Sequence, residues 1–215
     1  MENIHQLAIA AGLAWASGLR LYAVLFVLGL IERMGWFNLP PALHVLSDPL
    51  VMGASGFMLF VEFFADKIPV VDSLWDAVHT FIRIPAGALL AVGAMGDQNS
   101  AAATAAAILG GTIAAGTHFT KAGSRALINT SPEPFSNWTA SLTEEAAVVG
   151  GLWSMFHYPL VFLVLLLIFL AIAVWLIPKL WRAIKAVAAR LASFVKPALG
   201  SSNNSQPRTA GSDTD

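Results

Sequence analysis

Apolar positions along the chain fall into long blocks parted by short polar breaks, and most blocks approach the length of a membrane crossing. A helix needs about 20 apolar residues to cross a bilayer. Residues 5–32, HQLAIAAGLAWASGLRLYAVLFVLGLIE, predict a first span, with a kink or local unwinding where Ser17-Gly18 and Arg20 interrupt it. Residues 33–48 read as a connection broken by Asn38-Leu39-Pro40-Pro41. Asp48-Pro49 has the form of a helix start, a capping residue followed by proline at the first helical position. The second span then covers 49–66 and stops at Lys67-Ile68-Pro69. An amphipathic piece over 71–83 leads across Pro85 into AGALLAVGAM, a short third span, closed by a polar turn at Asp97-Gln98-Asn99-Ser100.

The fourth span, AAATAAAILGGTIAAGTHF, is made almost wholly of small residues. Such a helix lets neighbouring backbones approach closely, which predicts a place in the middle of a bundle. A polar stretch over 121–137 follows, then a fifth span over 139–156 and a break at His157-Tyr158-Pro159. LVFLVLLLIFLAIAVWLI is the sixth and most lipid-like span. The expected fold is thus an all-helical integral membrane protein of about six spans. The predicted organisation is a membrane domain over 1–178, a basic amphipathic cytoplasmic helix over 179–198, and a disordered tail over 199–215. A faint echo, Gly12…Gly18-Leu19-Arg20 against Gly110…Gly116-Thr117-His118, raises a 3+3 inverted repeat, at even odds with coincidence among common small residues.

Composition supports the class: 57% of residues are hydrophobic and 12% charged, and mean hydropathy is +0.69, whereas a soluble domain is about a quarter charged. The start MENIHQ lacks a positive n-region, so no signal peptide is expected. With no cysteine, disulfides, thiolate metal sites and thiol nucleophiles are excluded. Five cations follow the sixth span: Lys179, Arg182, Lys185, Arg190 and Lys196. Six crossings would put both termini on one side, with Lys67, Arg83, Lys121 and Arg125, and the positive-inside rule makes that side cytoplasmic. The net charge of −1 gives no reason to expect a nucleic-acid partner; membrane lipids and a second copy of the chain are the partners expected.

Residues 61–90 gather Glu62, Asp66, Lys67, Asp72, Asp76, His79 and Arg83. Asp72, Asp76, His79 and Arg83 are spaced 4, 3 and 4, which aligns them on one helix stripe; Val71, Leu74, Trp75, Val78 and Ile82 form the other. The stripe reads either as the solvated face of an interfacial helix, with Asp76–Arg83 pairing, or as the lining of a cytoplasm-facing cavity. Two aspartates and a histidine also raise a divalent metal, but no HExxH or paired-histidine spacing supports it, and no cofactor is expected. Arg20 lies deep in the first span, where an unpaired arginine costs at least about 2.5 kcal/mol; Glu62 is its expected partner. His118, Lys121 and Arg125 follow at helical spacing, the last two read as snorkelling cations. Glu144-Glu145 are expected at the N-terminus of the fifth span, in reach of Lys121, Arg125 or Arg83. Asn129-Thr-Ser and Asn137-Trp-Thr match a glycosylation pattern in a stretch placed in the cytoplasm.

Two stretches carry a resemblance: Gly12-Leu-Ala-Trp-Ala-Ser-Gly-Leu-Arg-Leu-Tyr22, and Val61-Glu-Phe-Phe-Ala-Asp-Lys-Ile-Pro69 continued by Asp72-Ser-Leu-Trp-Asp76, His79-Thr-Phe-Ile-Arg83 and Pro85-Ala-Gly-Ala-Leu89. Together they resemble the bacterial membrane family called domain of unknown function 4126, over about residues 8–178. The resemblance implies a multi-pass inner-membrane protein and no particular activity. The functional expectation is a small transporter or channel-like module for an unnamed solute or ion. Arg20, Glu62, Asp66, Asp72, Asp76, His79 and Arg83 would line its pathway, with His118 and Glu144 on the opposing half. The alternatives are a non-transporting scaffold that binds lipid or a partner, and an intramembrane lipid-acting enzyme, for which no serine–histidine arrangement is present to argue.

Overall fold

The computed structural model describes residues 2–96, 99–130 and 134–200, with side chains over 3–96, 99–130 and 135–190. The described residues form helices and their connections, as the blocks of apolar sequence predict. In order these are α1 (Glu2–Arg33), a 3-10 helix (Pro41–Ser47), α2 (Pro49–Ala65), α3 (Pro69–Met95), α4 (Ser100–Ile128), α5 (Pro134–His157) and α6 (Pro159–Gly200). By length and composition alone, with α1 counted end to end, four helices suffice to cross a membrane, five if the 3-10 helix and α2, bent by 68°, count as one span. Six were expected; α5, which carries Glu144 and Glu145, is not among those that pass. The capping at Asp48 is as read from sequence, its side chain accepting from the Leu50 N–H at 2.8 Å with Pro49 behind it. Part of the predicted polar turn, Asp97-Gln98, and the tail from 201 lie outside the described residues.

α1 is not one straight rod. Arg20 leaves helical geometry for extended backbone (φ −145°, ψ 79°). A straight helix would set His5 and Arg33 about 42 Å apart at about 1.5 Å per residue, and four further residues reach back at most about 14 Å. Yet the rings of His5 and Phe37 stack 5.9 Å apart. The chain therefore turns back at Arg20, and α1 is a V with arms over 2–19 and 21–33. Each arm is shorter than the hydrocarbon core, about 30 Å thick. Its apex lies inside the bundle, with Arg20 1% exposed.

Contacts along the arms fix the directions of the rest. Leu7 lies by Met95 and Ala102 at one end, while Gly18 abuts Ala114 and Thr117. Phe162 of α6 packs on Trp15, and Leu180 further along lies by Gly123 of α4. The start of α1 and the far end of α6 thus sit at opposite ends of the bundle, because the V adds a reversal that a count of six straight crossings omits. The same contacts run the first arm of α1 parallel to α4, whereas an inverted repeat would oppose them. The echoing glycines mark a close helix–helix contact: a Cβ on Gly18 would collide with the Ala114 carbonyl and Thr117.

The centre of the bundle is α1, whose most apolar window is 61% buried, and not the small-residue helix α4, at 17%. α4 packs one face on α1 and α3 and leaves Ala101, Ala105 and Ile108 exposed. The predicted amphipathic piece and third span are one continuous helix, α3, which passes through Pro85 without stopping. The predicted basic helix over 179–198 is likewise the continuation of α6.

Candidate functional site: a buried column of ion pairs

The 4-3-4 stripe on α3 decides the architecture of the site. Asp72, Asp76, His79 and Arg83 are all buried, while Val71, Leu74, Val78 and Ile82 on the other stripe are exposed. The apolar face looks toward lipid and the charged face looks into the bundle, so the interfacial-helix reading with a solvated acidic face is corrected. What the stripe meets is a second stripe on α4, where His118, Lys121 and Arg125 are buried in turn. Lys121 and Arg125 do not snorkel to the surface. They are the complement of the α3 carboxylates.

Arg83 bonds Asp76 Oδ1 at 2.8 Å and makes a close ion pair with Glu62 of α2. Its Nη1 also faces His118 Nδ1 at 3.3 Å. Lys121 Nζ reaches Asp76 Oδ1 at 3.7 Å and Glu144 Oε2 at 3.4 Å, and donates to the Leu19 carbonyl at 3.1 Å. That last bond satisfies an acceptor freed by the break in α1. Arg125 grips Glu144 with two bonds, 2.9 and 3.1 Å, and donates to the Asn137 side-chain oxygen at 3.2 Å. At the apex, Arg20 pairs with Asp66 at 2.5 Å, donates to Ser141 Oγ at 2.8 Å, and stands 3.6 and 3.5 Å from Glu144 and Glu145.

The expected Arg20–Glu62 pair is therefore corrected: Asp66, one turn on, takes Arg20, and Glu62 takes Arg83. Glu144 and Glu145 lie ten and eleven residues inside α5 and not at its N-terminus, which is where their reach to α1 and α4 comes from. Asn129 and Asn137, which match a glycosylation pattern, serve as internal partners. Asn137 is 1% exposed, and Asn129 donates to Asp72 Oδ2 at 2.9 Å. His79 sits to one side, stacked on Trp75, with Nδ1 at 2.7 Å from the Trp75 carbonyl and Nε2 at 3.0 Å from the Tyr22 hydroxyl. Outside the membrane-spanning helices, Lys67 lies over the Phe63 ring, and its burial holds the ammonium below the ordinary lysine range while Glu145 pulls the other way.

Along α3 the column runs from Asp72 to Arg83, eleven residues or about 16 Å, about half the hydrocarbon thickness. Beyond Arg83 it gives way to close-packed small residues, where Gly87 faces Ala114 and Ser17 and Gly110 faces Ala91. The charged groups are packed against one another. A groove of about 430 Å3 between α1, α2 and α5 does reach them, at Arg20 and Glu145. Among the described residues no His, Asp and Glu side chains are grouped as a metal ion would need.

Sequence reasoning named the α3 stripe, Arg20 and the reach of Glu144-Glu145 to Lys121 and Arg125, but read those two cations as snorkelling and passed over Asn129, Asn137 and Ser141 as parts of the site. The available signal was the matching 3-and-4 spacing of His118, Lys121 and Arg125 on α4, opposite in sign to the α3 carboxylates. No curated protein and no solved structure matches the chain. Residues 7–179 match the family described as Domain of unknown function (DUF4126), and the chain belongs to that family.

Proposed function

We propose that this protein is a membrane transport module, a small transporter or channel, that passes a small solute or ion along the buried column. The observation that carries the reading is the break of α1 at Arg20, at the inner end of a V, among ionisable side chains from the end of α2, α4 and α5. Non-helical backbone at membrane depth is tolerated where it is buried in protein or lines a water-filled path. Transporters commonly build their sites from such interrupted helices. The column supplies a polar route through about half the membrane, and the small-residue contact of Gly18, Gly87 and Ala114 seals the other half. A shift of the V against α3 and α4 would unseal it.

In this reading the protein resides in a bacterial inner membrane. Lys67 and the cations from Lys179 onward mark the cytoplasmic face under the positive-inside rule, which puts the start of α1 on the opposite face. Lipids cover the apolar stripes, and the exposed small-residue face of α4 offers a contact to a second copy. In proteoliposomes loaded in turn with candidate ions and small solutes, Asp76→Asn and Glu62→Gln should lower flux by at least about tenfold, about 1.4 kcal/mol of barrier. Flux of every candidate unchanged by both substitutions would remove the reading.

The near-complete pairing of the column favours one other reading, a scaffold whose charges serve only folding. A double neutralisation, Glu62→Gln with Arg83→Met, separates the two, because it removes both charges of the pair while Asp76 keeps Lys121 at 3.7 Å. A scaffold keeps its function to the extent that it keeps its fold, whereas a transport path that still folds loses flux.

A further inference from the structure

The buried charges do not balance. Arg20, Arg83, Lys121 and Arg125 are four cations, and they pair with Glu62, Asp66, Asp76 and Glu144. Asp72 and Glu145 are two carboxylates more. Glu145 has relief: it stands 3.5 Å from Arg20, is 32% exposed, and lies on the open groove. Asp72 has none of this. Its side chain is 0% exposed, no ion pair reaches it among the described residues, and only one of its oxygens accepts a hydrogen bond, from the neutral amide of Asn129.

The groups facing Asp72 do not repair the deficit. Its own helix presents Asp76 and the Ser73 hydroxyl, the end of α2 presents Asp66, and α4 presents Arg125 and Asn129. Two of the three charged neighbours are carboxylates, and the third, Arg125, is already bound twice to Glu144. The start of α3 favours negative charge in its first turn, but that support is small beside the loss of hydration, which favours the neutral acid. The second oxygen of Asp72 and the amide oxygen of Asn129 are both buried acceptors without a donor. A carboxyl O–H is the donor this pair lacks.

We propose that Asp72 is a proton-binding site, taking up a proton at mildly acidic pH and exchanging it with water at the nearer face. Protonation forms one O–H bond on Asp72 and removes one negative charge from the column. Access is short: Asp72 is one turn from the start of α3, beside exposed Ser73 and part-exposed Asn129, whose amide bridges Asp72, Ser73 and the Pro69 carbonyl. Use of that proton to drive passage along the column rests on the transport reading above; the binding of the proton does not.

Infrared difference spectroscopy of the full-length protein in lipid nanodiscs tests this without any flux measurement. The wild type should show a protonated-carboxyl stretch at mildly acidic pH that Asp72→Asn lacks and that titrates away as pH rises. Asp72→Glu, which keeps a carboxyl at the site, should retain a titrating band, and labelling with carboxyl-13C aspartate should shift that band in the wild type and leave it unshifted in Asp72→Glu. Identical carboxyl bands in wild type and Asp72→Asn, or an isotope shift that persists in Asp72→Glu, would overturn the assignment. If Asp72→Asn fails to fold, the isotope shift in Asp72→Glu decides alone. A titrating band with no flux of any solute would leave the proton site standing and sink the transport reading.

Discussion

Replacing Arg83 by methionine should be among the most damaging single changes in the chain. Its guanidinium is 0% exposed and serves two carboxylates, Glu62 and Asp76. Asp76 keeps Lys121 at 3.7 Å, so the loss falls on Glu62, which is itself 0% exposed and whose second oxygen already lacks a partner. Removing one member of a buried pair costs about 3–5 kcal/mol, because the survivor stays desolvated without its counter-charge. For a chain of this length each kcal/mol lowers Tm by about 2–4 °C, so Arg83→Met should melt about 6–20 °C below the wild type. Tryptophan fluorescence during heating in detergent reads this directly, with seven tryptophans as reporters. Adding Glu62→Gln removes the stranded charge and should recover about 2 kcal/mol or more, a coupling of the size expected for residues in one network. The reasoning fails if Arg83→Met melts no earlier than the exposed control Arg182→Met. It fails equally if the double substitution is as damaging as the sum of its parts.

Two further outcomes follow from the packing and the V. Gly87→Val would drive its side chain into Ala114 and the Ser17 hydroxyl, at 2.7 Å for the first added carbon, and should cost about 1–3 kcal/mol in the same melting assay; Gly53→Val, at a glycine with open space around it, is the matched control. Because the chain has no cysteine, single cysteines report sidedness cleanly: in intact cells a membrane-impermeant maleimide should label Asn3→Cys, at an exposed position of the first arm, together with Trp36→Cys, and spare Arg182→Cys; a protected Asn3→Cys beside a labelled Trp36→Cys would contradict the reversal at Arg20.

Much of the fold was legible from residue types alone. Blocks of apolar residues announce helices, and Asp48-Pro49 announces a helix start that the hydrogen bond to Leu50 completes. The 4-3-4 spacing announced a single charged face on α3. Which way that face points was not legible, since an amphipathic helix beside a membrane satisfies the same pattern with its charges in water. The answer lay in a different helix: only the buried cations of α4 make it favourable to turn Asp72, Asp76 and Arg83 inward. Arg20 shows the same limit. Its depth demanded a carboxylate, but Glu62 and Asp66 lie one turn apart on α2, and the choice between them depends on Arg83 having claimed the first. The V was hidden for another reason. Ser17-Gly18 hinted at a bend, yet the contact that proves a reversal, His5 on Phe37, joins two rings that no local pattern relates.

The shape of α1 also bears on how the chain is made. The second arm is too short to cross lipid by itself, and the tip carries an arginine whose partners, Asp66, Ser141, Glu144 and Glu145, are translated later. α1 leaves the ribosome before the helices that hold it and is thus among the last of them to settle. It must wait at the bilayer surface, or in the insertion machinery, until α3, α4 and α5 have built the berth it occupies.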